Sequence, residues 1–392
     1  MGPGIENEQM NHLNVIIKKY DRPLLVAIII LCTIGIVMLY SASVSLSIFE
    51  TGGRTDMRFL QAHLKRLLIG VLVLFTFVLL DYRKLKTIAP YLLIGSIGLL
   101  LLTKGIFLIK GISAPARWLY FGPISIQTAD ITRLVLIIFL AAYIDHKRDQ
   151  IKDFYSGLFP PLMIMAIILG LIVIQPDFST TAMLAIIGGM MLYLGGARIP
   201  HLLATATVAA TVAVPVMLAM PYRRERILSW LFGSDEGAAG YQVTQSLIGL
   251  GNGGIFGMGL GNSMEKNLFL PTPHTDFIFA IIGEEIGLIG TVFILTLFLF
   301  IFQRGIKIAK ECADPFGVLL AIGISFSFIL YAFVNAAVVT GILPVTGLPM
   351  PMISYGGSGM VVNFASIGIL LNISQSKRSI VHRKGWSPKV KI

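Results

Sequence analysis

Residues 241–290 read YQVTQSLIGLGNGGIFGMGLGNSMEKNLFLPTPHTDFIFAIIGEEIGLIG. The first part is polar and rich in glycine; from Phe277 onward the chain is apolar over a length that crosses a bilayer. Asp276 stands where one becomes the other. Glu284 and Glu285 follow about 12 Å deeper at roughly 1.5 Å per residue, and acids inside a membrane cost roughly 2.5–3.5 kcal/mol each on insertion scales. Three carboxylates along one span predict a polar cavity rather than lipid. At about 100° per residue, Ala280, Gly283, Gly287 and Gly290 share the face of Asp276, and such small residues favour close helix contact. Thr275 is placed as an N-cap with Asp276 in the first helical turn, where the helix dipole favours negative charge. The same carboxylate therefore also reads as a capping acid.

The rest of the chain has the composition that this span implies. Of 392 residues, 55% are hydrophobic and only 13% charged, with a mean hydropathy of +0.82. The expected fold is an all-α polytopic membrane protein. Apolar runs fall near 23–44, 64–80, 89–108, 131–144, 158–174, 178–194, 201–220, 277–302, 316–340 and 359–373, which makes about ten spans. The fourth is short and the seventh reads as broken at Pro215. The side that holds both termini carries about 19 Lys and Arg against about 12 opposite, so both termini are expected in the cytoplasm. This divides the chain into a cytoplasmic tail at 1–22, one transmembrane domain at 23–373 with a large extracytoplasmic loop at 221–275 between spans 7 and 8, and a basic cytoplasmic tail at 374–392. The net charge of +11 is explained by positive-inside anchoring and membrane lipids, with no nucleic acid. Cys32 and Cys312 are far apart and point to neither a disulfide framework nor a metal site. The opening MGPGIENEQM lacks the features of a removable signal.

Several groups gather on the expected outer side. Arg223, Arg224 and Arg226 precede Ile227, Leu228, Trp230, Leu231 and Phe232, the pattern of a short amphipathic helix in the interface. These arginines either snorkel as anchors or hold a phosphate-bearing headgroup, whose oxygens guanidinium forks match. The run GNGGIFGMGLGN has neither a dinucleotide-fold context nor a Walker lysine. The last loop, GILPVTGLPMPMISYGGSGM, combines prolines, glycines and hydroxyls at membrane depth, which predicts a re-entrant element lining a cavity or, more plainly, a stiff connection. Asp177 follows Gln175-Pro176 with almost no loop and reads as a turn acid capping the next helix. Arg117-Trp118 and the stretch from Gln127 to Arg133 add a second group of cations and aromatics.

Taken in order, Arg117-Trp118, IQTADITR, QPDFSTT, the run through HTDFIFAIIGEE, and GLPMPMISYGGSG resemble the SEDS family of bacterial peptidoglycan glycosyltransferases over nearly all ten spans. GYQVTQSL, MMLYLGGARI and PYRRERI are more similar to its division branch, FtsW, than to its elongation branch, RodA. The family usually has Q-P-S-E and a lysine where this chain has Gln127-Thr128-Ala129-Asp130 and Arg133, so acid and base are kept and the proline is lost. The resemblance implies polymerisation of lipid II, an undecaprenyl-diphosphate-linked disaccharide pentapeptide, into β-1,4-linked glycan on the outer face of the bacterial cytoplasmic (inner) membrane, by inversion. Asp276 matches the family's essential loop aspartate and is expected to be the general base. Arg223, Arg226, Arg117, Arg133 and Lys266 are candidates to neutralise the diphosphate leaving group. Trp118, Gln245, His274, Ser354 and Ser358 are further substrate-binding candidates, and Glu284, Glu285 and Asp177 are supporting cavity acids. A divalent cation, Mg2+ or Mn2+, is implied with no ligand set identified, and no organic cofactor is expected. No Ser-x-x-Lys pattern with its companions is present, so a class B penicillin-binding protein is the expected transpeptidase partner, beside other proteins of the division or elongation complex.

A lipid II flippase and a non-catalytic scaffold are the competing readings. Transport needs two alternating openings, and a scaffold would tolerate loss of the Asp276 charge; catalysis would not. The topology is directly testable: a cysteine near Asn262 should react with an impermeant reagent from outside the cell, and one near Lys377 should not. The reverse labelling would remove the loop from the outer face.

Overall fold

The computed structural model describes residues 20–110, 117–121, 124–232 and 237–376. The expected tails at 1–22 and 374–392 lie almost wholly outside these residues. Seven described helices are long and apolar enough to cross a bilayer: α1 (Arg22–Glu50), α2 (Arg58–Leu79), α3 (Arg83–Lys110), α5 (Phe159–Ile174, with a π-helical turn at Phe154–Leu158 before it), α7 (Ile199–Leu218), α10 (Ile278–Glu311) and α11 (Pro315–Val339). Two shorter apolar helices join them, α6 (Phe178–Leu194) and α12 (Ser358–Ser374). The tenth is α4 (Thr128–His146), which carries Asp130, Arg133 and Asp145 within its length. It is also deeply enclosed, with every residue from Thr132 to Ala141 buried, so its charge is sheltered by protein instead of facing lipid. The chain is an all-α polytopic membrane protein with ten helices in register with the ten expected runs.

α2 and α3 each begin six residues before their apolar runs and α10 continues nine residues past its own, and the fourth and seventh spans differ from expectation in kind. α4 starts at Thr128, three residues before the apolar run, because Gln127 ends a two-stranded antiparallel hairpin, β1 (Trp118–Phe121) and β2 (Ile124–Gln127), that feeds straight into it. α7 is not broken at Pro215: the helix runs through it to Leu218, since one missing N–H near a helix end is tolerated. Between α7 and α10 the chain forms α8 (Pro221–Phe232), the expected amphipathic helix, and α9 (Gly237–Gly253), which the glycine content hid. α10 and α11 pack against each other, α2 lies along α12, and α4 packs on α3, α6, α11 and α12. α7 contributes no buried side chain at all.

The helix α10 is interrupted at Gly287, with φ 76° and ψ −168°. The loop that follows α9 fills the break with its own backbone. Met258 and Gly259 N–H donate to the carbonyls of Glu284 and Glu285 at 2.9 and 3.0 Å, while Leu288 and Ile289 N–H donate to Gly254 and Ile255 at 2.9 and 3.3 Å. This interruption also ends the expected common face: Gly290 lies beyond the break and no longer keeps phase with Ala280 and Gly283. Glycine is required at 287, because its dihedrals fall in a region essentially closed to other residues and a Cβ would stand 2.4 Å from Gly257 N. Gly287→Ala should therefore cost at least about 1–3 kcal/mol and lower the melting temperature in detergent, with faster amide exchange at Met258 and Gly259. An unchanged melting temperature would mean that the break is dispensable.

Candidate functional site

The site begins at the end of the bundle that carries α8. The guanidinium of Arg223, buried at 9% exposure, lies 3.6 Å from the centroid of the Phe178 ring at the start of α6. Neither of its terminal nitrogens has a hydrogen-bond partner among the described residues. Burial first, and the like charge of Arg117 second, pull its pKa below the ordinary guanidinium value, with Asp177 opposing. Arg117, Arg223 and Arg226 line one cleft of about 470 Å³, shared with apolar Phe178, Met217, Met220 and Ile227 and with the Pro344, Val345 and Thr346 segment. A cleft with cations at one wall and methionines at another suits an anion carried on an apolar chain. Arg226 NH1 donates to Val345 O at 3.1 Å, which ties α8 to that segment.

Asp177 is the N-cap of α6, accepting from Thr180 N at 3.2 Å, as its turn position predicts. It also accepts from Gln127 Nε2 at 3.2 Å and lies 3.9 Å from Arg117, whose other nitrogen donates to Pro176 O. The hairpin thus hands Arg117 to the cleft. Trp118 pairs with Gln127 across that hairpin and closes on Gly357, where a Cβ would meet its ring at 3.2 Å.

Asp276 stands beside Gly347, the residue that follows the Pro344–Thr346 wall of the arginine cleft. α10 starts at Ile278 with Phe277 at the N-cap position and no side-chain cap, so Asp276 precedes the helix and Thr275 does not cap it. This corrects the expected placement in the first turn and removes the capping explanation of the carboxylate. Instead, Thr275 and Thr272 hydroxyls both donate to Oδ1, at 2.7 and 3.3 Å. No hydrogen bond among the described residues reaches Oδ2, which faces Gly347 within 3.9 Å of where a Cβ would stand. Asn335 holds the backbone in place by donating to Asp276 O at 2.7 Å and Leu348 O at 2.8 Å. Asn335 was not foreseen, although a lone amide in an apolar span is a signal of its own. Phe178, beneath Arg223, gave none.

The remaining candidates are dispersed. Arg133 is buried, donates to Asn363 Oδ1 at 2.6 Å and lies 4.6 Å from the Tyr331 ring centroid; with Asp130, Ser354 and Asn363 it lines a small cavity of about 30 Å³, room for a water and not for a sugar. Ser354 closes its own turn by accepting from Met350 N at 2.9 Å. Ser358 accepts from Gln127 N at 2.8 Å and donates to Asp130 at 3.3 Å. Lys266, expected on the diphosphate, is buried and paired with Glu285 at 2.9 Å. Glu284 and Glu285, 0% and 1% exposed, brace the loop and do not line the arginine cleft, a correction to the expected shared cavity; a buried carboxylate takes the nearest donors, and here these belong to the loop. Gln245, with its amide nitrogen turned toward Glu265, donates to it at 2.9 Å. Burial and then the Glu284 charge hold Glu265 above the usual carboxylate range. Among the described residues no three His, Cys, Asp or Glu side chains gather as a metal site.

The profile of the family described as a cell cycle protein, FTSW_RODA_SPOVE, matches residues 22–379. This chain belongs to that family. A probable peptidoglycan glycosyltransferase FtsW of Geobacter metallireducens is 36% identical over 364 residues, covering 91% of this chain and 95% of that one. Stage V sporulation protein E of Bacillus subtilis is 37% identical, over 92% and 99% of the two chains. A solved structure described as structural coordination of polymerization and crosslinking by a peptidoglycan synthase complex superposes with a TM-score of 0.72 at 25% identity, covering 91% of this chain and 98% of that one. The fold is also that of the rod shape determining protein RodA of Thermus thermophilus, with a TM-score of 0.65 at 23% identity over 92% and 98% of the chains. In this FtsW/RodA relative His274 is packed between α2 and the last loop: its ring lies 4.5 Å from that of Phe59 and 5.4 Å from that of Tyr355, and its backbone carbonyl accepts from Tyr355 N at 2.9 Å.

Burial pushes the His274 imidazole down to about 4 from an ordinary 6.5, so it is neutral near pH 7. Between pH 6.5 and about 4 the unfolded chain binds a proton at this residue that the folded chain does not. Stability contributed by a neutral His274 is therefore present above pH 6.5 and is lost as the pH falls toward 4. Replacing His274 with Phe should flatten the melting temperature over that window; an equally steep profile would show that other groups govern it.

Proposed function

We propose that this peptidoglycan glycosyltransferase polymerises lipid II with Asp276 as general base and the arginine cleft as the seat of the donor's diphosphate. The observation that carries the reading is the 344–347 segment, which lines the arginine cleft at one end and meets the free oxygen of Asp276 at the other. A sugar hydroxyl is a poor nucleophile near neutral pH, and a carboxylate oxygen within hydrogen-bond reach removes its proton as the bond forms. Asp276 has one oxygen fixed by Thr272 and Thr275 and the other open, the arrangement of an oriented base. The acceptor hydroxyl attacks the anomeric carbon, the proton passes to Asp276 Oδ2, and the bond to the lipid diphosphate breaks with its electron pair leaving on phosphate oxygen. Arg223 and Arg117 stabilise that growing charge, with the lipid lying along Phe178, Met217 and Met220. Attack opposite the leaving group inverts an α-linked donor to a β-1,4 linkage.

The cleft would open on the extracytoplasmic face of the bacterial inner membrane, supported by the excess of Lys and Arg on the other side. A divalent cation, Mg2+ or Mn2+, would arrive as a ligand of the diphosphate, since Mg2+ keeps several waters and needs few carboxylates. A class B penicillin-binding protein is the proposed cross-linking partner, supported by the likeness to a complex that coordinates polymerization and crosslinking.

Purified protein with lipid II tests this reading. Asp276→Asn keeps Oδ1 for the two threonines but loses basicity, so glycan synthesis should fall about 10²- to 10⁴-fold while lipid II binding persists. Arg223→Ala should lower kcat/KM, on the order of 10²-fold if the donor acts mainly in the transition state. Near-normal synthesis by Asp276→Asn would sink the mechanism and leave the flippase or the scaffold ahead.

A further inference from the structure

The loop before Asp276 carries buried charge that glycosyl transfer does not use. Lys266 Nζ donates to Glu285 Oε1 at 2.9 Å, to Ser41 Oγ at 3.0 Å and to Gly261 O at 2.5 Å. Ser41, on α1, donates in turn to the same Glu285 oxygen at 2.5 Å. The side chains of the pair are 9% and 0% exposed. On the neighbouring residue, Glu284 accepts from Ser263 Oγ and from the N–H groups of Met264 and Glu265, the latter two at 3.0 and 3.3 Å. Ser45 of α1 adds a bond to Asn267 Oδ1 at 2.7 Å. Residues 261–267 are thus clamped between α1 and the first half of α10, just before the break at Gly287. The chain then has eight residues before it reaches Asp276, four of which, Leu270, Pro273, His274 and Thr275, are buried or half-buried.

A buried ion pair is weak evidence for stability, because desolvation offsets most of the Coulomb attraction. What such a pair supplies is a fixed geometry: an ammonium with three acceptors in three different segments admits one register of the loop. We infer that Lys266, Glu285 and Ser41 form a positioning triad that sets where the Asp276 carboxylate stands relative to the 344–347 segment. The inference rests on the reading of Asp276 as the base. None of the three touches substrate; they act through the loop backbone. Nor does the triad replace the backbone bonds across the Gly287 break; it fixes the side of the loop that those bonds leave free.

The experiment uses the full-length purified protein and lipid II, with kcat, KM and melting temperature measured for each variant. Lys266→Met combined with Glu285→Met removes both charges and keeps apolar volume, which commonly preserves a fold where either single change would not. The double variant should melt near the wild-type temperature and keep its KM, yet lose kcat by about 10- to 100-fold, since a displacement of about 1 Å costs on the order of 10²-fold. Ser41→Ala leaves the ion pair intact and so is the arm that survives if the double variant does not fold; it should lower kcat by roughly three- to tenfold with KM and melting temperature unchanged, on the same positional argument. A folded double variant, or Ser41→Ala, with wild-type kcat overturns the inference. Asp276→Asn run in parallel separates the two readings: if it is active, the base assignment fails; if it is inactive and the triad variants are fully active, only the positioning inference fails.

Discussion

At Gly287 the chain leaves the helical region, and peptide groups on either side lose their intrahelical partners at a depth where water cannot replace them. Each unsatisfied group there would cost several kcal/mol. The backbone of 254–259 meets that demand in both directions, giving two N–H donors to the carbonyls below the break and accepting from the two N–H groups above it. This exchange dictates much else. It brings the loop inside the bundle, requires glycine at 257 and 287, where any Cβ would strike backbone, and sets Glu284 and Glu285 against Ser263 and Lys266. From that anchorage the loop has a short run to Asp276, so the placement of one carboxylate is inherited from the repair of one helix.

The second constraint is the separation of charge by depth. The arginines that line the cleft stand near the ends of α6 and α8, where long side chains reach across apolar walls, whereas Lys266 and Arg133 are enclosed and neutralised by Glu285 or held by Asn363 and the Tyr331 ring. Arg223 differs from both groups. It is buried and stacked on Phe178 but, among the described residues, without a hydrogen-bond acceptor for either terminal nitrogen. A guanidinium so placed discriminates between a ligand with oxygens to offer and the lipid chains around it, because only the former relieves its desolvation.

The apolar runs alone placed all ten helices, because twenty apolar residues have few alternatives in a chain of this composition. Asp276, Arg117, Arg223 and Arg226 were legible for the complementary reason, since charge beside a span is expensive enough to need an explanation. What escaped was anything that depends on pairing at long range. Lys266 sits in a polar loop and reads as exposed; only the fold shows that Glu285 and Ser41 reach it. α9 was hidden by five glycines in seventeen residues, although Ala239, Val243, Ser246 and Leu250 keep a helical spacing. The capping role drawn for Asp276 failed because Phe277 takes the N-cap position, and neither spacing nor propensity marks a helix that starts two residues late.

α7 has a further consequence. Its twenty residues rise about 30 Å, the thickness of a hydrocarbon core, and none of its side chains is buried in the protein. Protein packing therefore does little to fix its tilt, and the surrounding acyl chains take that part, leaning the helix further as the bilayer thins. Because α7 leads directly into α8, the span between Arg223 and the wall formed by residues 344–346 is set partly by solvent. The amphiphile in which this protein is kept is in that sense a component of its site, and detergents of different chain length are not interchangeable media for it.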